Sequence, residues 1–437
     1  MYMRNLITFL IGFCSASLFV GCSSGDNPLK NNDRHPIELT RAEADIAQTQ
    51  YDFSLNLLKA AFKKNKNENV TISPLSASMV LGMLANAVDE EDREELLNAL
   101  NVEEQDVASF NSYAYKLMND LPHLDKKSTL SIANSCWYKS VLSISENYDA
   151  ILAGYYVAET NQFPSFNITT VSDINAWIKE KTNGQISDLL DKEDILYEIK
   201  VLWLNSLYFK GSWTKQFDKS KTAKESFYPD FPSKGVYKIT DMMHGGNFGT
   251  SFDFVQNEGD NQIALDEIVR SALLSYGNES FMFVGILPPE NNPSIEWTLE
   301  QITPKYWQKL EEHFSYFGNT GGLNISLPKM NIDKATDLIP VIKEMGVKKI
   351  FESNEFGTGG VNMENSLGIS HQNLMLMRQK VILDVNEEGT ELKVATVAGT
   401  GDMMDGPLEL TFNRPFIYFV FERSTGAILL AGIYSHP

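Results

Sequence analysis

Apolar positions recur at helical spacing early in the chain. Ile46, Phe53, Leu57 and Ala61 fall on one face, and Thr40 with Glu43 makes a capping box ahead of them, which predicts a helix starting at Thr40. Ser73 followed by Pro74 is a second start signal, with Leu75, Met79 and Met83 following at four-residue steps. Residues 172–181 repeat the pattern with Ile174, Trp177 and Ile178 inward. Apolar runs at 201–209, 281–287, 381–385, 416–421 and 428–433 read as buried strands. Gly211, the pair Pro288 and Pro289, and a turn over residues 423–426 close three of them. No long-period repeat recurs and the composition does not shift between residues 40 and 437, so this stretch is expected to be one α+β domain.

The N-terminus has a different logic. Arg4 precedes an apolar run over residues 6–20, about 15 residues, too short for a membrane span and suited to a secretory leader. It ends in Phe19, Val20, Gly21 and Cys22, which resembles a bacterial lipobox, in which the cysteine is acylated and becomes the first residue; Phe19 stands where leucine is usual. The other reading is an ordinary cleaved leader followed by a free thiol. Acylation contributes about 0.8 kcal/mol per buried CH₂, and several chains anchor stably. Ser23 and Ser24, in place of aspartate, point to the outer membrane or cell surface over the inner membrane. Residues 22–39 are polar, carry Pro28 and Pro36, and read as a tether, leaving 1–21 as leader and 40–437 as the folded domain.

Composition narrows the function. The 437 residues are 43% hydrophobic and 22% charged, an ordinary globular balance, but the net charge of −20 argues against nucleic acid and against activation by a polyanion. It favours basic partners. Three cysteines, Cys14, Cys22 and Cys136, make neither a disulfide framework nor a zinc site, and no metal or small cofactor is implied. There is no GxSxG, HExxH or P-loop; Ser212 and Lys215 match SxxK without its companion motifs; and the glycine pairs 357/359 and 399/401 lack the third glycine of a dinucleotide fingerprint. His244 and His371 have no nucleophile or orienting acid fixed by sequence, Cys136 beside Trp137 reads as a small buried apolar residue, and the charge run at 89–95 reads as a solvated helix face. No enzyme is nominated.

Residues 386–415 stand apart. Thr390, Leu392, Val394 and Thr396 alternate with Glu391, Lys393 and Ala395, a half-buried strand pattern. Residues 399–406 then hold three glycines, two aspartates and the pair Met403 and Met404, the composition of a protease-accessible tip. A strand-capable stem carries a cleavable loop. A plain long surface loop between two strands accounts for these residues equally well.

The wider pattern resembles the serpin family. Glu387, Glu388, Gly389 and Thr390 resemble the hinge of a reactive-centre loop, and Phe412 to Phe416, through Gly426 and Gly432 to Pro437, resemble the family's C-terminal strand pair. Further matches follow in the family's order. They are Ile72 to Ser76; Asn175 and Trp177 with Thr182, Gly184 and Ile186; Asn205, Tyr208, Gly211 and Trp213; Leu287 with Pro288; Leu327 to Lys329; and Leu338 with Met345, Gly346, Val347 and Phe351. The resemblance implies about nine helices around three β-sheets, with a reactive-centre loop over about 387–412. It implies a monomer whose partner is a target protease. The protease attacks the loop, forms an acyl-enzyme, and is dragged and distorted as the stem inserts as a new central strand; serpin loop insertion is itself a standing example of strand addition and stored-strain switching. Ser73, Asn205 and Trp213 are carried over to the shutter and breach along which the sheet parts. Gln379 stands where the family often has histidine, and Leu392, Lys393 and Val394 where inhibitory members mostly have alanine. Bulk there slows insertion, and slow insertion lets hydrolysis of the acyl-enzyme win.

Counting from Glu387 and back from Pro415 places the scissile bond between Met403 and Met404, with the bond between Met404 and Asp405 second. Unbranched apolar methionine suits elastase-like or chymotrypsin-like serine proteases, and papain-like cysteine proteases as a cross-target, but not a trypsin-like pocket. A non-inhibitory serpin serving as a binding or structural surface lipoprotein is the second reading, and an unrelated nutrient-binding or hydrolytic lipoprotein the third.

Overall fold

The capping box forms as expected: the Thr40 side chain accepts from the Glu43 amide, and the Glu43 carboxylate accepts from the Thr40 amide. The computed structural model describes residues 34–66, 68–196, 198–246, 249–254, 268–317, 322–352, 359–389 and 409–437. Helix α1 (Arg41–Lys64) buries Phe53, Leu57 and Ala61, and packing begins before it, because Ile37 is buried and its amide donates to Ser424 Oγ. The expected tether therefore reaches the domain before residue 40. Helix α2 (Pro74–Ala87) starts at the Ser73 cap and is almost wholly buried, which its apolar content requires.

Eight further helices lie among the described residues: α3 (Glu94–Leu100), α4 (Val107–Asp120), α5 (Glu146–Tyr155), α6 (Ile168–Lys181), α7 (Ile295–Gln301), α8 (Pro304–Phe317), α9 (Ile339–Glu344) and the single turn α10 (Glu364–Leu367). The total is ten, close to the nine expected. Ahead of α3, Asp92 corrects the solvated-face reading of the charge run: it is buried, pairs with Lys349, and accepts from the Asn362 amide at 2.7 Å. Asp89 likewise accepts from the amides of Glu364 and Asn365.

The strands among the described residues fall into five hydrogen-bonded sheets. The buried six-stranded sheet runs β1 (Val70–Ile72), β17 (Ile428–Tyr434), β16 (Phe416–Glu422), β9 (Phe281–Leu287), β8 (Val269–Tyr276), β7 (Thr250–Phe254). Its strands β17, β16 and β9 are buried at every position, as runs with no polar alternation demand. A four-stranded sheet runs β15 (Glu409–Thr411), β10 (Asn324–Pro328), β6 (Lys238–Gly245), β5 (Ala223–Phe227). A short hairpin joins β12 (Val361–Met363) to β13 (Ile369–Gln372).

The last two ladders belong together in space but not in hydrogen bonding. One is β3 (Ala158–Phe163), β2 (Ser128–Lys139), β4 (Val201–Gly211); the other is β11 (Met330–Asp337) with β14 (Arg378–Val385). Helix α2 lies against their inner face, where Trp203, Val381 and Leu383 join the main core. On the outer face Leu202, Leu204, Leu376 and Ile382 join a second apolar cluster with Ile174 and Ile178 of α6. The expected three-sheet arrangement therefore appears with one sheet divided, because β4 and β14 share no ladder among the described residues.

Candidate functional site: the hinge and the gap between two half-sheets

The chain leaves β14 through a tight turn at Asn386, whose carbonyl accepts from the Gly389 amide at 3.2 Å. Gly389 has φ +82°, and a Cβ there would lie 2.2 Å from the Trp213 backbone nitrogen, so both conformation and space demand glycine. The neighbouring carbonyls are docked onto the segment after β4: Trp213 N donates to Glu388 O at 3.2 Å and Phe217 N to Glu387 O at 2.9 Å. Trp213 also gives its indole N–H to Asn386 O at 2.9 Å while its ring stacks on Tyr276 at 4.4 Å. The expected breach residue thus touches the expected hinge directly.

The two hinge carboxylates are held differently. Glu388 pairs with Lys219 at the surface. Glu387 is buried, accepting from Thr222 Oγ1 at 2.6 Å and pairing with Lys329 Nζ at 2.8 Å. Burial penalises its charge, but the Lys329 ammonium and the Thr222 hydroxyl outweigh that penalty and hold its pKa below the ordinary 4.5. A depressed carboxylate pKa contributes stability above the unfolded value and loses it as pH falls through the folded value. The protection factors of the Trp213 and Phe217 amides, corrected for the intrinsic pH dependence of exchange, are therefore expected to fall below pH about 4.5 in the wild type and to stay nearly flat across that range in Glu387→Gln.

Below the hinge lies the gap. Its edges are residues 202–209 of β4 and residues 376–382, which run into β14 at Arg378; its inner wall includes Ala77 and Val80 of α2, and its outer wall Ile178, Ile186 and Leu189. At mid-height Gln379 bonds Ser73 twice, its Oε1 accepting from the Ser73 amide at 2.6 Å and its Nε2 donating to the Ser73 carbonyl at 2.9 Å. An imidazole could not make this amide-to-peptide pair in plane, so glutamine here is a replacement with its own geometry. Asn205 donates to Asn134 Oδ1 at 2.7 Å. Its own Oδ1 and the neighbouring Ser206 hydroxyl are buried without a hydrogen-bond partner among the described residues. A buried acceptor without a hydrogen bond is costly.

The structure brings Ser73, Asn205, Trp213, Glu387, Glu388 and Gly389 to one gap and its upper end. Thr390, Leu392, Val394, Thr396, Met403, Met404, Asp405 and Cys22 lie outside the described residues. Thr222 and Lys219 carry no signal in the sequence, and Lys329, although it lies in the Leu327 to Lys329 family match, carries none for its pairing with Glu387, since each meets the hinge from a distant segment. His244 sits between Glu225 Oε1 and Ser326 Oγ, each at 2.9 Å, joining β5, β6 and β10 side by side. His371 is exposed, and Cys136 is buried with its thiol pKa pushed up by burial.

Comparison with known proteins reaches almost the whole domain. The family profile described as serpin (serine protease inhibitor) matches residues 48–437. An uncharacterized serpin-like protein of Methanosarcina acetivorans is 25% identical over 402 residues, covering 90% of this chain and 87% of that one. Corticosteroid-binding globulin of Saimiri sciureus is 27% identical, covering 90% of each. The native-state crystal structure of the thermophilic serpin tengpin matches in fold with a TM-score of 0.74 at 24% identity, over 92% of this chain and 96% of that one.

Proposed function

The chain belongs to the serpin family, and on that premise we propose that it is a suicide-substrate inhibitor of elastase- or chymotrypsin-like serine proteases, with papain-like cysteine proteases as cross-targets. Serpins are typically protease inhibitors and not enzymes. The observation that carries the reading is the gap itself, whose two strand edges share no ladder, and whose buried Asn205 Oδ1 has no hydrogen-bond partner, among the described residues.

Register supports it from both sides. The bridge between Asn386 and Gly389, continued as an antiparallel hairpin along β14, sets Leu392 opposite Leu383, Val394 opposite Val381 and Thr396 opposite Gln379. The Trp213 amide bond to Glu388, continued down β4, sets Leu392 opposite Phe209, Val394 opposite Leu207 and Thr396 opposite Asn205. Both extrapolations converge on Thr396. Directly opposed residues share a face, and Leu383, Val381, Leu207 and Phe209 all pack on the main core. The stem's alternation therefore carries its apolar side inward, leaves Lys393 on the outer face, and offers the Thr396 hydroxyl to the Asn205 acceptor.

In the reaction the serine or cysteine of the protease supplies the nucleophile, and Met403 or Met404 occupies its specificity pocket. The lipobox reading of Cys22 places this activity on a bacterial envelope, with the acyl chains as the membrane contact. Among the described residues no helix is long and apolar enough to cross a membrane. The test is incubation with a neutrophil-type elastase followed by a denaturing gel and mass spectrometry. A covalent adduct joined at Met403 or Met404 supports inhibition; nicking at that bond without adduct, for every elastase- and chymotrypsin-like protease tried, overturns it. Because sulfoxide makes the bait polar, mild methionine oxidation is expected to lower the association rate with elastase by about tenfold or more, and methionine sulfoxide reductase to restore it.

The second reading, a non-inhibitory binding serpin, is favoured by the bulk of Leu392, Lys393 and Val394. Corticosteroid-binding globulin shows by its name that a relative binds a corticosteroid.

A further inference from the structure

The outer wall of the gap is tied to both half-sheets in different ways. Residues 182–200 connect α6 to β4. On the β4 side the attachment is mainly apolar, with Ile186, Leu189 and Leu190 packed beside Leu202 and Leu204. α6 itself is pinned to β3, because Trp177 Nε1 donates to Glu159 at 2.8 Å and Lys181 pairs with the same carboxylate at 2.6 Å. On the β14 side the attachment is ionic and directional. Arg378 spans Asp194 with two bonds of 2.9 and 3.0 Å, reaches Asp191 at 3.3 Å, and donates to the Leu189 carbonyl at 3.1 Å. Lys380 meets Asp188 at 2.7 Å and Asp333 of β11 at 3.1 Å. Asp194 is 1% exposed, so its pairing with Arg378 is shielded from solvent as an ordinary surface pair is not.

We infer that Arg378 and Lys380 form an ionic clasp holding residues 186–194 over the gap, and that release of this clasp sets how fast a strand enters. The inference rests on the insertion reading above. A strand seated between β4 and β14 holds them about 9–10 Å apart, two strand spacings of about 4.8 Å. The covering segment spans that separation and is fixed on both sides, so one attachment must yield as the strand passes beneath. Apolar contacts are non-directional and slide, whereas a two-pronged arginine–carboxylate pair holds one geometry and must break. The clasp thus trades insertion speed against the integrity of the native sheet.

Entry can be measured apart from protease chemistry by annealing a synthetic acetylated peptide of residues 390–402 into the intact chain, followed by native gel shift. The double variant Arg378→Gln with Lys380→Gln is expected to anneal about tenfold faster, the factor that corresponds to about 1.4 kcal/mol of barrier. Asp188→Asn, which disturbs only an exposed partner, is expected to give a smaller acceleration and guards against misfolding of the double variant. Raising salt from about 0.1 to about 1 M should speed annealing in the wild type only modestly, by screening the exposed Lys380–Asp188 arm and not the shielded Arg378–Asp194 pair, and should leave the double variant unchanged. Unchanged rates in both variants, with the wild type annealing, overturn the clasp alone. Failure of the wild type to anneal any peptide overturns the insertion reading beneath it.

Discussion

Cutting the chain between Met403 and Met404 is expected to raise its thermal unfolding midpoint by at least about 10 °C. The gain has two sources. Leu392 and Val394 move onto the main core, each contributing about 1.5–3 kcal/mol of apolar burial. The stem also makes ladder bonds with both free edges, each adding about 1 kcal/mol net. A gain of about 10 kcal/mol converts to a shift of this order in a chain of this size, where 1 kcal/mol moves the midpoint by about 1–2 °C. Differential scanning calorimetry on intact and cleaved protein reads it directly. A non-inhibitory serpin whose stem stays outside shows no such gain.

Thr396→Arg is expected to convert the inhibitor into a substrate, lowering the covalent adduct yield at least about tenfold while cleavage continues. Under the proposed insertion, extending both registers would bring Thr396 between Asn205 and Gln379. Neither a guanidinium nor its stem fits beside Ser73 and the Asn205 acceptor without leaving a charge buried and unpaired, at a cost of several kcal/mol. Insertion then loses to hydrolysis of the acyl-enzyme. Thr396→Val separates size from hydrogen bonding: it keeps the shape, loses the hydroxyl, and leaves Asn205 Oδ1 an orphan, so it should slow insertion mildly and reduce the stability gain by about 1–3 kcal/mol. The Thr396→Arg protein should also show no stability gain after cleavage, which distinguishes blocked insertion from a damaged bait.

What the sequence shows about this molecule follows the range of each signal. Local signals read well: the Thr40 capping box, the Ser73 and Pro74 start of α2, and β9 over Phe281–Leu287 all stand where periodicity placed them. Helix α6 begins at Ile168, four residues before the expected 172, because the Asn167 side chain caps the amides of Thr169 and Thr170 and draws in a β-branched turn of weak helical preference. Strand β2 carries no clear period in its residues, since its first half mixes buried, half-buried and exposed positions irregularly. The hinge was legible through Gly389, a residue whose conformation only glycine accepts readily. The contacts that anchor it are not: Lys329, Thr222 and Lys219 come from separate segments, and although Lys329 ends the Leu327 to Lys329 match, no local pattern says that it pairs with Glu387. The gap was invisible for a deeper reason. A buried strand has the same apolar pattern whether or not its edge is paired, so neither residues 201–209 nor 381–385 could announce that β4 and β14 stand apart. Gln379 lies between these cases, found by spacing as a departure and explained only by its two bonds to Ser73.

The central claim is that the stem after Gly389 enters between β4 and β14. Hydrogen–deuterium exchange of intact and loop-cleaved protein tests it most directly, followed at the amides of residues 203–209 and 378–384. Insertion predicts strong new protection on both edges after cleavage, together with protection of residues 390–397 in the stem itself. Unchanged exchange along both edges, in protein shown to be fully cut at Met403 or Met404, contradicts it.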